Sequence, residues 1–249
     1  DGVEHPIATS QCQATDARRA FPCWDEPDFK ATFQTTMVVP EGLEAYSNSL
    51  ETERVGTDGK VEFRFARTMK MSTYLLAFIA GPFEATEPVV SRGIRIRVIV
   101  PRGKLGLTEV ALENAVFCFE FLSDYYGIPY PADKLDHIAI PDFAAGAMEN
   151  VGLITYRDAY LVIDKAKASQ AELQNSLDVI LCQAKGGQDM HIHDLLCVQV
   201  LIHGLFHVRR GHAQAEQKAH SNHDQQRQGK ETAAGLFDLA EHVENEHMS

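Results

Sequence analysis

The stretch from residue 31 to residue 100 commits the first half of the chain to antiparallel strands. Val61-Glu62-Phe63-Arg64-Phe65 alternates apolar and charged residues with period two, the pattern of a half-buried strand. Just before it stands Thr57-Asp58-Gly59-Lys60. Asp-Gly favours two-residue turns whose twist matches that of paired strands, so Glu51–Val55 and Val61–Arg67 are predicted to form a hairpin. Thr32–Val39 is β-branched and apolar and ends at Pro40-Glu41-Gly42, a strand and its stop. Thr73–Ala80 is a continuous apolar run, read as a strand buried on both sides. Ile94-Arg95-Ile96-Arg97-Val98-Ile99-Val100 alternates again, and Arg95 and Arg97 are assigned to a solvated face.

The pattern changes near residue 101, where a domain boundary is expected. Leu107, Val110, Ala111, Asn114, Phe117, Cys118, Phe121 and Tyr125 recur at three and four, which predicts a helix over 107–126. Thr108 is its candidate N-cap and Gly127 its stop. The aromatic stripe Phe117, Phe121 and Tyr125 is assigned to the core. Ile128-Pro129-Tyr130-Pro131 then turns the chain into a strand over Asp136–Ile140, and Leu153–Ile163 continues as strand and turn. Ser169–Cys182 reads as an amphipathic helix with Leu173, Leu177, Ile180 and Leu181 on one side and Ser169 as cap.

Between the last two strands lies Pro141-Asp142-Phe143-Ala144-Ala145-Gly146-Ala147-Met148-Glu149-Asn150-Val151-Gly152. It holds Glu149 among small and apolar neighbours, with glycines at 146 and 152 that tolerate φ > 0 and close backbone approach. Such a carboxylate usually faces a cleft at a strand end, although a tight turn with a solvated Glu has the same local pattern. Gly146 to Asn150 spell G-A-M-E-N. This resembles the exopeptidase signature of the gluzincin zinc aminopeptidases, the aminopeptidase N-like family, and the flanks on both sides are similar too. A second landmark, Gln11-Cys12-Gln13-Ala14-Thr15-Asp16-Ala17-Arg18-Arg19 through Trp24-Asp25-Glu26-Pro27, also resembles the family. On the residues alone it reads as a surface loop with Trp24 as anchor.

The resemblance covers about residues 8–180 and implies an α+β protein. Residues 1–100 are expected to be part of an antiparallel, β-rich N-terminal domain. Residues 101–182 would be the start of a thermolysin-like catalytic domain, and 183–249 a divergent tail. The resemblance implies that Glu149 holds the free α-amino group of a peptide, with Gly146, Ala147, Met148 and Asn150 along the substrate backbone. Gln13, where many members have Glu, would help bind the amino terminus or the first side chain through hydrogen bonds, since Gln carries no charge.

The implied cofactor is zinc, and here the chain departs from the family. Two His at i and i+4 on one helix, a Glu general base and a further Glu are required. At the expected place stands Ile180-Leu181-Cys182-Gln183-Ala184-Lys185-Gly186, without a His. His203-Gly204-Leu205-Phe206-His207 has the right spacing, which makes His203 and His207 candidate metal ligands. Gly204 nevertheless occupies the general-base position, and Gly cannot move a proton. The expected third carboxylate falls on Gln226. Nine of the 11 histidines lie at or after His191, so chance spacing explains this pair more readily. His191/His193 and His220/His223 are further clusters suited to adventitious chelation.

Composition supports a break near residue 180. All 10 prolines lie at or before Pro141 and all seven tyrosines at or before Tyr160, while the tail is rich in Gln, His, Lys and Glu. Such a segment has little apolar surface to offset chain entropy. The chain is therefore expected to be truncated, or disrupted in reading frame, after about residue 180, and to hydrolyse little. The alternatives are a non-catalytic binder of peptide amino termini, an epoxide-opening relative on the same scaffold, and a metal-buffering tail on an inert scaffold. A net charge of -12 argues against nucleic acid as partner. No apolar run reaches the roughly 20 residues of a membrane span. Five spread cysteines without C-x-x-C pairs suggest free thiols and a reducing compartment, the cytoplasm.

Overall fold

The computed structural model of the chain describes residues 6–188, with side chains as far as 184. Over that range it is α+β, with antiparallel sheets in the N-terminal region and few helices. After β1 (Ala8–Thr9) and a single helical turn, α1 (Ala17–Ala20), come β2 (Thr36–Pro40), β3 (Glu44–Ser47), β4 (Glu51–Thr57) and β5 (Lys60–Phe65). Next are β6 (Phe78–Gly81), β7 (Phe83–Ala85), β8 (Val89–Ser91) and β9 (Ile94–Pro101). Helix α2 (Glu109–Tyr126) leads to β10 (Lys134–Ile140), β11 (Ala147–Met148), β12 (Leu153–Arg157) and α3 (Gln170–Gln188).

The β4–β5 hairpin forms as expected, with Asp58 at φ 52° and Gly59 at φ 74°, both left-handed as the tight turn demands. Phe63 and Phe65 point inward and join Val39, Ala45 and Ala80 in a small core. Two three-stranded sheets, β2-β5-β4 and β1-β6-β3, make up the N-terminal part. The larger sheet runs β11-β12-β10-β9-β7, with β8 also on β9, and so joins strands from both sides of residue 101. β10 lies parallel to β9 and β12, and all seven of its residues are buried. Strands buried on both faces usually read as nearly continuous apolar runs, and β10 departs from this with buried Lys134, Asp136 and His137.

Several expectations need correction. Thr73–Ala80 is not one strand: Thr73–Leu75 is a 3-10 turn, closed by Leu75 N–H to Ser72 O (3.2 Å) and Leu76 N–H to Thr73 O (3.1 Å), and β6 starts only at Phe78. The stripe Phe117, Phe121 and Tyr125 is a surface ladder of stacked rings, with Phe117 38% and Tyr125 50% exposed. The buried side of α2 is instead formed by Val110, Ala111, Asn114, Ala115, Cys118, Phe119 and Leu122, with the Phe119 ring edge-on against Tyr130. Arg97 is not on a solvated face. It makes a two-pronged ion pair with buried Asp136, Nε to Oδ1 at 2.9 Å and Nη2 to Oδ2 at 2.7 Å.

Both helix ends of α2 differ in how well they obey their signals. Gly127 closes the helix at φ 65° and donates to Ser123 O, as a left-handed stop does. Thr108 stands at the start, but its hydroxyl donates to Leu105 O (2.7 Å) and leaves the first turn uncapped. Ser169 and Glu172 form a reciprocal capping box ahead of α3. Cys12 and Cys23 are free thiols, and Trp24 is 76% exposed rather than an anchor.

Candidate functional site

The site grows from the loop after β10. Met148 is wholly buried and packs with Phe143, Val151, Leu153, Ile138 and Ile140 in the main core. That anchorage fixes its neighbour Glu149, which is half-buried. Ala147 and Met148 form β11 and pair antiparallel with Tyr156 and Thr155 of β12. β11 ends the sheet, so its outer edge has no strand partner among the described residues. Asn150 turns its side chain inward, its amide 3.4 Å from both Met148 O and Thr155 Oγ1.

Gly152 explains why the loop can close. Its φ is 75°, and a Cβ there would overlap the carbonyl oxygen of Asn48. Its N–H donates to Tyr130 Oη (3.1 Å), and its carbonyl accepts from Lys134 Nζ (2.6 Å) and the Asp136 N–H (3.1 Å). Gly146 is different: it is exposed, its φ is not left-handed, and a Cβ would only touch the ring of Tyr160. Arg157 braces the front of the loop, donating to Phe143 O (3.1 Å) and Ala144 O (2.9 Å).

The N-terminal part reaches the same region through the turn Thr73–Leu75. Asn48, buried, donates to Leu75 O (2.8 Å) and Val151 O (2.7 Å) and accepts from the Ala77 N–H (2.8 Å). Thr73 donates to Asp25 (2.8 Å), which also accepts from the Arg18 backbone N–H (3.1 Å). Tyr74, between them, is close enough to Glu149 to feel its charge: burial, and then the Glu149 carboxylate, raise the Tyr74 hydroxyl above its ordinary pKa. Gln13 lies on the loop before α1, exposed and without a hydrogen bond among the described residues, next to a cis peptide bond to Ala14. Asn48, Tyr74 and Tyr160 were not singled out from the sequence, since no local pattern marks them.

The described residues do not fit a zinc ion. No group of three His, Cys, Asp or Glu among them is placed to hold a metal. Helix α3 presents Ile180, Leu181 and Ala184 to the core, and Cys182 is exposed. His137 is buried and stacked on Tyr156, with Nδ1 2.9 Å from the Tyr156 hydroxyl. Burial pushes its pKa down to about 4, so the ring is neutral. The candidate ligands His203 and His207, with Gly204, lie outside the described residues.

A sequence model of the peptidase M1 N-terminal domain matches residues 1–75, and one of the peptidase family M1 domain matches 110–183. Together they cover more than half of the chain. The chain belongs to the peptidase M1 family. Aminopeptidase M1-C of Oryza sativa subsp. japonica is 45% identical over 175 residues, 70% of this chain and 20% of the relative. Endoplasmic reticulum aminopeptidase 1 of Homo sapiens is 43% identical over 170 residues, covering 68% and 18%. Aminopeptidase N of Haemonchus contortus is 41% identical over 169 residues, covering 66% and 17%. The chain thus spans about a fifth of the length of these relatives. The second family match ends at residue 183, within α3. No helix among the described residues is long and apolar enough to cross a membrane.

Proposed function

We propose that this chain carries the substrate-anchoring half of an aminopeptidase site and holds the free amino terminus of a peptide. The observation that carries the proposal is Glu149: a half-buried carboxylate next to the buried Met148, on a loop held by Asn48 and Gly152. An ammonium meeting that carboxylate gains a charge-assisted hydrogen bond in a partly dry cleft. An extended peptide can then lie along the outer edge of β11 and exchange backbone hydrogen bonds with it, as strands added to sheet edges do. In this pose Glu149 orients the first peptide bond and fixes its distance from any cleaving group. Gly146 and Ala147 offer backbone, and so does Met148, whose side chain is committed to the core. Gln13 completes the end of the cleft by hydrogen bonding.

The relatives are named aminopeptidases, and the zinc of their family would supply the chemistry that polarises the scissile carbonyl. No step is assigned to zinc in this chain, because α3 carries Cys182-Gln183-Ala184 where a ligand pair would stand and Gly204 replaces a general base. We therefore propose binding without efficient cleavage. The test is turnover of an aminoacyl chromogenic substrate by the 249-residue chain, with and without added zinc and with a chelator. The expected result is no chelator-sensitive release above buffer. Robust chelator-sensitive turnover overturns the non-cleaving reading.

A further inference from the structure

A second site lies away from β11, between the large sheet and the N-terminal strands. Arg95 and Arg97 of β9 stand two residues apart, and so do Lys134 and Asp136 of β10. Residues two apart share a sheet face. The register sets Lys134 beside Arg95 and Asp136 beside Arg97. All four line one cavity of about 490 Å³, within the range of about 300–1,000 Å³ typical of small-molecule sites.

This wall carries three cations and one carboxylate. Asp136 is 1% exposed and is shared between Arg97 and Lys134, whose Nζ lies 3.0 Å from its Oδ2. Lys134 is itself 3% exposed and spends a second donor on Gly152 O. Arg95 has no hydrogen bond or ion pair among the described residues, so its guanidinium is uncommitted. The wall is therefore two charges positive. The same cavity is lined by Glu44 of β3, Glu51 of β4 and Glu84 of β7, with Glu44 and Glu51 both bound to Arg54 at 2.8 Å. These three carboxylates and Arg54 are together two charges negative. A lone anion would satisfy only the first wall, and a lone cation would face the excess of the first. A molecule with both charges at opposite ends satisfies both.

We propose that this cavity binds a small zwitterion, a free α-amino acid or a dipeptide. Its carboxylate lies on Arg95 and Arg97, and its ammonium is turned toward Glu44 and Glu51. The cavity lining includes no residue of the loop around Glu149, which it touches only from behind through Lys134 and Asp136 on Gly152 O, and the inference does not depend on the peptide-anchoring reading. The direct test is a titration of the isotopically labelled full chain with L-leucine, followed by backbone amide NMR shifts. Saturable shifts are expected at residues of β4, β9 and β10, and they persist in Glu149→Gln. They weaken about tenfold in affinity in Arg95→Glu, which alters an exposed side chain, and in Glu51→Gln, as loss of one charge-assisted contact implies. N-acetyl-leucine and leucinamide, each lacking one charge, bind at least as weakly as those variants. The proposal is overturned if no saturable shift occurs at these strands or if Glu149→Gln abolishes it. It is equally overturned if Arg95→Glu leaves affinity unchanged, or if N-acetyl-leucine binds as well as leucine.

Discussion

The side-chain amide of Asn48 donates to the carbonyl oxygen of Val151 across 2.7 Å, joining the end of β3 to the loop that carries Glu149. The same side chain holds Leu75 O and the Ala77 N–H, so one buried residue ties three segments together. The position of Glu149 is thereby set by contacts far from it in sequence.

Asn48→Ala leaves two buried carbonyls and one buried N–H without this partner. Unsatisfied buried groups cost about 1–3 kcal/mol each, with partial relaxation expected among neighbours. The variant is expected to lose about 2–4 kcal/mol of unfolding free energy in urea. It should also weaken peptide binding, because the loop loses its brace.

Gly152→Ala and Gly146→Ala should separate cleanly. At Gly152 a methyl group meets the Asn48 backbone and the left-handed φ adds strain, so a loss of about 3 kcal/mol or more is expected. At Gly146 the methyl group finds only ordinary contact with Tyr160, and stability should change by about 0.5 kcal/mol or less. Thermal or urea unfolding of the two variants checks the contrast.

Asp136→Asn removes the carboxylate shared by Arg97 and Lys134 and leaves two cations facing one another. Burial alone would raise the Asp136 pKa, but the Lys134 ammonium and then Arg97 outweigh it and hold the group ionised. Breaking such a pair by removing one partner costs about 3–5 kcal/mol, read as a lower urea midpoint at pH 7.

His137 gives a pH signature. Its folded pKa is depressed to about 4 from 6.5. Between those values the unfolded chain binds a proton that the folded chain refuses. Its contribution is complete above pH 6.5 and is lost as pH falls toward 4, amounting to about 3 kcal/mol at the low end. His137→Gln should flatten the fall in unfolding free energy between pH 6.5 and 4.5. An unchanged slope would show that His137 titrates normally.

The legible parts of this fold were those with local causes. Asp58-Gly59 fixed a hairpin, Gly127 a helix end and Ser169 a helix start, each within four residues. Family membership was legible by the letters of two stretches, around Gln13 and around Glu149. What could not be read depended on partners distant in sequence. Asn48 bonds to residues 27 and 103 positions away, and no local pattern announces it. Arg97 looked solvated because its partner is 39 positions on. On α2 the expected Val110, Ala111, Asn114 and Cys118 are buried, but the aromatic stripe was misassigned, because helical periodicity marks a face without saying how far its neighbours cover it. Phe119 is the aromatic residue that the core takes in, and the ladder of Phe117, Phe121 and Tyr125 stacks along the outer side.

The central claim is that Glu149 holds a peptide's amino terminus. Calorimetric titration of the full chain with Leu-Gly-Gly and with its N-acetylated form tests it most directly. Leu-Gly-Gly should bind measurably, and acetylation or Glu149→Gln should each weaken binding about tenfold or more, the worth of one charge-assisted contact. Equal binding of the free and acetylated peptides, or undiminished binding by Glu149→Gln, would contradict it.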